Sequence, residues 1–148
     1  MNRKMILVLM MMLTWAMRLH AQPPKIPAEV ARAFREKYPD AQNVVWKDNL
    51  TGFEASFTLD EEAWTATFNN SGAWKESEKK IEFEDLPDDV QDAFDNSKYG
   101  DWKTGSVSLI ERDKKTRYKI YAEKNSIVQK VLLYFSEKGR IVKEAPGI

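Results

Sequence analysis

Three groups of residues in this sequence carry side chains suited to chemistry, and each points to a different kind. The segment Asp95-Asn96-Ser97-Lys98-Tyr99-Gly100 opens like a calcium loop, with Asp first, Ser third and Gly sixth, the oxygen donors and sharp turn that a hard cation requires. Tyr99 stands where the fifth position needs Asp or Asn, and Ser106 where the twelfth needs Glu, so the segment reads better as a helix end and turn. The second group is the carboxylates. With 23 acidic residues some pair will always be close, and two acids about 5–10 Å apart could act as acid and base in a glycosidase-like hydrolase. The local clusters Glu82-Phe83-Glu84-Asp85 and Asp60-Glu61-Glu62 read instead as a solvated face and a hairpin tip. The third group is aromatic: Trp46, Trp74, Trp102, Tyr118 and Tyr121 are candidates for a binding surface, because Trp and Tyr anchor interfaces. The core competes for most of them. Tyr118 and Tyr121 are three apart on one strand pattern and must point to opposite faces, so one of the two is the better surface candidate.

Other chemistries are excluded by what the chain lacks. It has no Cys and a single histidine, His20. Arg3 and Lys4 precede an apolar run, Met5 to Met17, which is followed by Arg18-Leu19-His20-Ala21-Gln22. That order marks a secretory signal peptide over residues 1–21, cleaved after Ala21. The run is shorter than the roughly 20 residues that cross a bilayer core, so no membrane insertion is expected after cleavage; a retained anchor is the alternative. Cleavage leaves 148 − 21 = 127 residues with 20 basic and 23 acidic side chains, a net charge of −3. His20 leaves with the signal. The remaining chain then has no imidazole or thiol for a nucleophile–base pair or a usual zinc site. It has no glycine-rich phosphate loop either, and its short basic runs, Lys79-Lys80 and Arg112-Asp113-Lys114-Lys115, read as solvated loops rather than a nucleic-acid surface. No catalytic, cofactor-binding or metal-ligating residue is assigned, and no cofactor is expected. A domain of this size buries enough surface to fold without disulfides.

The elements that must position the aromatics come in two similar series. Ile26-Pro27-Ala28-Glu29-Val30-Ala31-Arg32-Ala33-Phe34 matches Leu86-Pro87-Asp88-Asp89-Val90-Gln91-Asp92-Ala93-Phe94 at an offset of 60 residues. Phe68-Asn69-Asn70-Ser71-Gly72-Ala73-Trp74 matches Phe135-Ser136-Glu137-Lys138-Gly139-Arg140-Ile141 at an offset of 67. Apolar residues at i, i+4, i+7 and i+8 predict a helix in each copy, with proline at its first position and acids in its first turn. Alternation over Phe53–Leu59, Trp64–Phe68, Tyr118–Glu123 and Val131–Phe135 predicts antiparallel strands joined by hairpins. Residues 75–85, charged but carrying Ile81 and Phe83, predict a further strand or ordered connection. The fold class is therefore α+β: tandem duplicated units, each a helix followed by three or four antiparallel strands, over residues 22–85 and 86–148. Whether the strands form one sheet or two is left open.

The helix Ile-Pro-x-x-Val-x-x-Ala-Phe, then Tyr38-Pro39-Asp40-Ala41, Val44-x-Trp46, and strands ending in Phe-x-x-x-Gly at Phe68 to Trp74, resemble a known family. The chain is similar to the PepSY-like, β-lactamase-inhibitor-protein-like periplasmic proteins of Gram-negative bacteria. The resemblance implies tandem PepSY-like units and a periplasmic or secreted location. It carries over no functional residue. Together with the missing catalytic side chains it implies a non-enzymatic binding module, in one form an inhibitor or modulator of another exported protein. A small-ligand or Ca²⁺-binding protein, and a hydrolase using two carboxylates, are the alternatives. The partner, an exported protein or a small ligand, is not specified by any motif.

Overall fold

The computed structural model describes residues 24–124 and 129–147, so the expected signal peptide lies outside the described residues. Helix α1 (Ala28–Lys37) starts directly after Pro27, and α2 (Asp88–Asp95) directly after Pro87. Both prolines occupy the cap, at φ −56°, ψ 143° and φ −55°, ψ 144°, one place before the first helical position expected from the sequence. The ring fixes φ while ψ stays extended, and the missing N–H falls where the helix needs no donor. Glu29, and Asp88 with Asp89, sit in the first turns, at the positive end of each helix dipole.

Eight strands follow the two helices: β1 (Gln42–Asn49), β2 (Gly52–Leu59), β3 (Glu62–Phe68) and β4 (Trp74–Ile81) after α1, then β5 (Lys103–Arg112), β6 (Lys115–Lys124), β7 (Gln129–Ser136) and β8 (Ile141–Pro146) after α2. They form one antiparallel sheet in chain order, β1 to β8. The question of one sheet or two is resolved at β4 and β5, which pair from Ser77↔Glu111 to Ile81↔Val107. The charged stretch 75–85 is thus mostly strand, ending in a short 3₁₀ turn at Phe83–Asp85. Lys79-Lys80 is corrected with it. The pair lies inside β4, not in a loop, and Lys79 Nζ reaches Glu62 Oε2 at 2.7 Å. Strand alternation is hard to see there because β4 forms the seam between the two halves and carries charge on both faces.

Two hairpins turn through non-glycine residues in the left-handed region. Asp60 and Glu61 stand at φ 51° and 66°, and Asp113 and Lys114 at φ 51° and 59°. Positive φ at both central residues matches the right-handed twist of the flanking strands. The Arg112–Lys115 run expected as a loop is the tip of the second of these hairpins, with its end residues in β5 and β6.

Both helices pack on the same face of the sheet. Val30 and Phe34 of α1 meet Phe53, Ala55, Phe57, Ala66 and Phe68. Val90 and Phe94 of α2 meet Val107, Tyr118, Ile120, Leu133 and Phe135. Ser77 and Ile81 show that the two cores share a side. They are four apart on β4, hence on one face, and Ser77 bonds Tyr38 of the first core while Ile81 packs on the second. In the first core Phe34 is the hub, with ring centroids 5.1 Å from Phe57 and 5.2 Å from Trp46, both edge-on.

Candidate functional site

Helices on one face leave the other face of the sheet uncovered among the described residues, and strand register states which side chains it presents. Directly opposed residues share a face. One row across the sheet runs Ser56, Thr65, Glu78, Ile110, Arg117, Ser136. The next runs Lys80, Ser108, Lys119, Tyr134, Lys143. The β2–β3 part is short and polar. The β5–β8 part is long, cationic and aromatic.

The centre of that second part is a shallow cavity of about 200 Å³ lined by Glu76, Glu78, Ile110, Arg112, Arg117, Lys119, Tyr134 and Lys143. Ile110 forms its floor. It is only 6% exposed yet belongs to neither core, so its cover is the aliphatic stems of the charged residues around it. Lys119 Nζ lies 2.6 Å from Glu78 Oε1, and Arg112 Nη1 3.7 Å from Glu76 Oε2. Lys143 Nζ sits 5.1 Å from the centroid of the Tyr134 ring. Next to it, at the end of the β6 and β7 strands, a second hollow of about 530 Å³ is lined by Lys115, Arg117, Lys138 and Arg140, with Glu137 the only acid among its lining residues.

The five aromatic candidates are placed in different surroundings. Tyr121 is on the open face, half-buried, its hydroxyl donating to Glu123 Oε2 at 3.3 Å. Its ring fills the space above Gly105, where a Cβ would lie 2.5 Å from Tyr121 Cδ1. Tyr118 is in the second core, 9% exposed, and burial raises its pKa above the ordinary value. Trp46 and Trp74 are half-buried against the first core. The Trp74 indole N–H donates to Ser77 Oγ at 2.8 Å, and the Lys37 ammonium lies 4.0 Å from the indole centroid. Trp102 packs edge-on against Tyr99, centroids 4.9 Å apart.

Trp102 also lines a groove of about 610 Å³ on the helix side of the sheet. Within it the Tyr99 hydroxyl donates to Glu144 Oε2 at 2.8 Å, and Lys98 Nζ lies 3.2 Å from the same oxygen. The hydroxyl bond first, then Lys98, hold the Glu144 carboxyl below its ordinary pKa. The segment read as a possible calcium loop ends α2 instead. Asn96 Nδ2 donates to the Asp92 carbonyl at 2.8 Å, and Ser97 Oγ to the Phe94 carbonyl at 2.7 Å. Those groups serve the helix terminus. Among the described residues no three His, Cys, Asp or Glu side chains gather as a metal cluster would.

Sequence reasoning overlooked Tyr134, Arg117 and Lys143. The signal was present: Val131, Leu133 and Phe135 claim the core face of β7, which puts Leu132 and Tyr134 on the other.

No curated protein matches the sequence. Solved structures do. A BLIP-like protein from Bacteroides fragilis NCTC 9343 superimposes with a TM-score of 0.74 at 25% identity, over 86% of this chain and 89% of that one. A DUF2874 family protein from Bacteroides ovatus ATCC 8483 gives 0.77 at 22% identity, over 83% and 89%. A third, from Bacteroides eggerthii DSM 20697, described as a "putative periplasmic" protein, gives 0.75 at 19%, over 83% and 90%. Each has this α+β fold. The sequence pattern of the family described as "Putative beta-lactamase-inhibitor-like, PepSY-like" matches residues 51–143, from the β1–β2 turn to Lys143 of β8. Sequence pattern and fold agree, and the chain belongs to the PepSY-like, beta-lactamase-inhibitor-like family.

Proposed function

We propose that this chain is an exported, non-enzymatic binding module that docks another exported protein on the open face of its sheet, as an inhibitor or modulator of that protein. The observation that carries the reading is the placement of both helices on one face, which among the described residues leaves the opposite face of β2 to β8 uncovered. A sheet is a rigid platform, and side chains fixed on it lose little freedom on binding. The family, the periplasmic description of one structural neighbour and the export signal read in residues 1–21 support the location in the periplasm or outside the cell, with cleavage after Ala21. No helix among the described residues is long and apolar enough to cross a membrane.

Residues 22–85 and 86–148 form, on this reading, two copies of one unit. Their turns support it. Asn69 N–H bonds Ala73 O at 2.9 Å and Gly72 N–H bonds Asn69 O at 3.0 Å; at an offset of 67, Ser136 bonds Arg140 at 2.9 Å and Gly139 bonds Ser136 at 3.0 Å. Gly72 lies against the Glu29 carbonyl in the first turn of α1, and Gly139 against the Asp89 carbonyl in the first turn of α2.

Tyr134→Ala and Thr65→Arg on the open face should each abolish co-precipitation of the partner from envelope extract, while Arg32→Ala on the exposed side of α1 should not. Equal recovery by all three would overturn the reading. A second reading, capture of a small ligand, is favoured by the Tyr99–Trp102–Glu144 groove, whose volume suits one. The two-carboxylate hydrolase has its footing in Glu76 and Glu78, which line one cavity. Both are engaged by cations, and neither stands free as an acid or base.

A further inference from the structure

We infer that the β5–β8 half of the open face binds an acidic segment of the partner protein, its Asp or Glu carboxylates seated between Arg117, Tyr134 and Lys143. The inference rests on the open face being the binding surface and adds the chemistry of what binds there.

Charge is the first argument. Residues 22–148 carry a net charge of −3, yet residues 103–147 hold 11 basic and five acidic side chains, a net charge of +6. Residues 22–102 hold the compensating acids, 18 against nine basic side chains, with four of them, Asp88, Asp89, Asp92 and Asp95, on α2. Position is the second. Among the described residues of this half Lys115, Arg117, Lys138, Arg140 and Lys143 make no ion pair, nor do Lys114 and Lys130, whereas Lys103, Arg112, Lys119 and Lys124 each meet a carboxylate. The first five lie at one end of the sheet around two adjoining hollows that share Arg117. Cations that outnumber the carboxylates around them, four to one in one hollow and four to two in the other, repel one another, and an incoming carboxylate relieves that repulsion.

The kind of acid follows from what lies between the cations. Glu76 and Glu78 interrupt the basic surface, which disfavours a continuous plane of phosphates such as an anionic bilayer presents. Ile110 and the Tyr134 ring give it apolar ground, and Tyr134 carries a hydroxyl at its edge. Carboxylates on a polypeptide, spaced by aliphatic stems and amides, match that mixture. Guanidinium groups such as Arg117 grip a carboxylate with two parallel bonds.

The test titrates the isotope-labelled exported chain with octaglutamate, and separately with inorganic phosphate and with phosphatidylglycerol vesicles. Octaglutamate should shift the amides of residues 112–119, 134 and 138–143, and its affinity should fall steeply between about 0.1 M and about 1 M salt as the screening length shrinks from about 10 Å to about 3 Å. Arg117→Glu with Lys143→Glu should weaken binding by roughly tenfold or more. Lys138→Glu with Arg140→Glu, at an exposed turn where folding is not at stake, should weaken it in the same direction, and Glu54→Lys on the far half should not. No shifts, shifts elsewhere, salt-independent binding, or the same shifts produced more readily by phosphate or vesicles would each overturn the inference. If octaglutamate fails while Tyr134→Ala still loses the envelope partner, the open face stands as the binding surface and its acidic specificity falls.

Discussion

Ser77 shows how one buried polar atom ties this fold together. Its side chain is fully buried on β4, its oxygen accepts from the Trp74 indole, and it also bonds the Tyr38 hydroxyl at the end of α1. Ser77→Ala leaves both partners without their bond, so it should cost about 1–3 kcal/mol in denaturant unfolding. Glu144 is the residue whose charge reports on the groove. Its folded-state pKa is lowered, chiefly by the Tyr99 hydroxyl and then by Lys98. The group therefore contributes stability that is present above its unfolded pKa and is lost as pH falls through the folded value. The stability gap between the wild type and Glu144→Gln should accordingly narrow on acidification from neutral pH to below pH about 4. Tyr99→Phe should move the Glu144 titration upward in a carbon-detected NMR experiment. An unmoved titration would remove the hydroxyl from the account.

At the scale of elements, the turns decide where the strands end. Gly139 stands at φ +68°, and a Cβ there would lie 2.0 Å from the Asp89 carbonyl; Gly72 stands at φ +84°, with its nearest contact 2.9 Å from the Glu29 carbonyl. Alanine at either site should destabilise by about 1–3 kcal/mol, and more at Gly139, where backbone must move. Lys114, at φ 59°, is the converse. Glycine there removes left-handed strain and should add about 0.5–1 kcal/mol, measured as a raised unfolding midpoint. The periodicity of Phe53–Leu59 and Tyr118–Glu123 made their strands legible from sequence, because one face is core and the other is wet. The strands β1 and β5 were not resolved individually. In β1 only Trp46 and Asn49 are better than exposed, and a bulge between Gln42 and Val45 breaks the alternation. In β5 the register also shifts, between Thr104 and Val107, and Ile110 is buried on the open side. A bulge resets which face each residue takes, and the sequence does not announce it.

For the whole molecule, the family and the α+β class were legible because packing motifs repeat along the chain. The proposed binding surface was not. Of the aromatic candidates, Trp46 and Trp74 pack partly buried against the first core, Trp102 against the second, and Tyr118 lies within it, the competition from the core that the sequence already implied. The charges of the open face are scattered in sequence from Glu76 to Lys143 and meet only through strand pairing. On the proposed reading this face, not the helix side, meets the partner. The most direct measurement places a photo-activated benzoylphenylalanine in turn at Thr65 and Tyr134, and at Arg32 and Asp92 on the exposed helix surfaces, in the living cell. Adducts with one common protein from Thr65 and Tyr134 alone are the expected result; adducts from Arg32 or Asp92 with none from the sheet would contradict it.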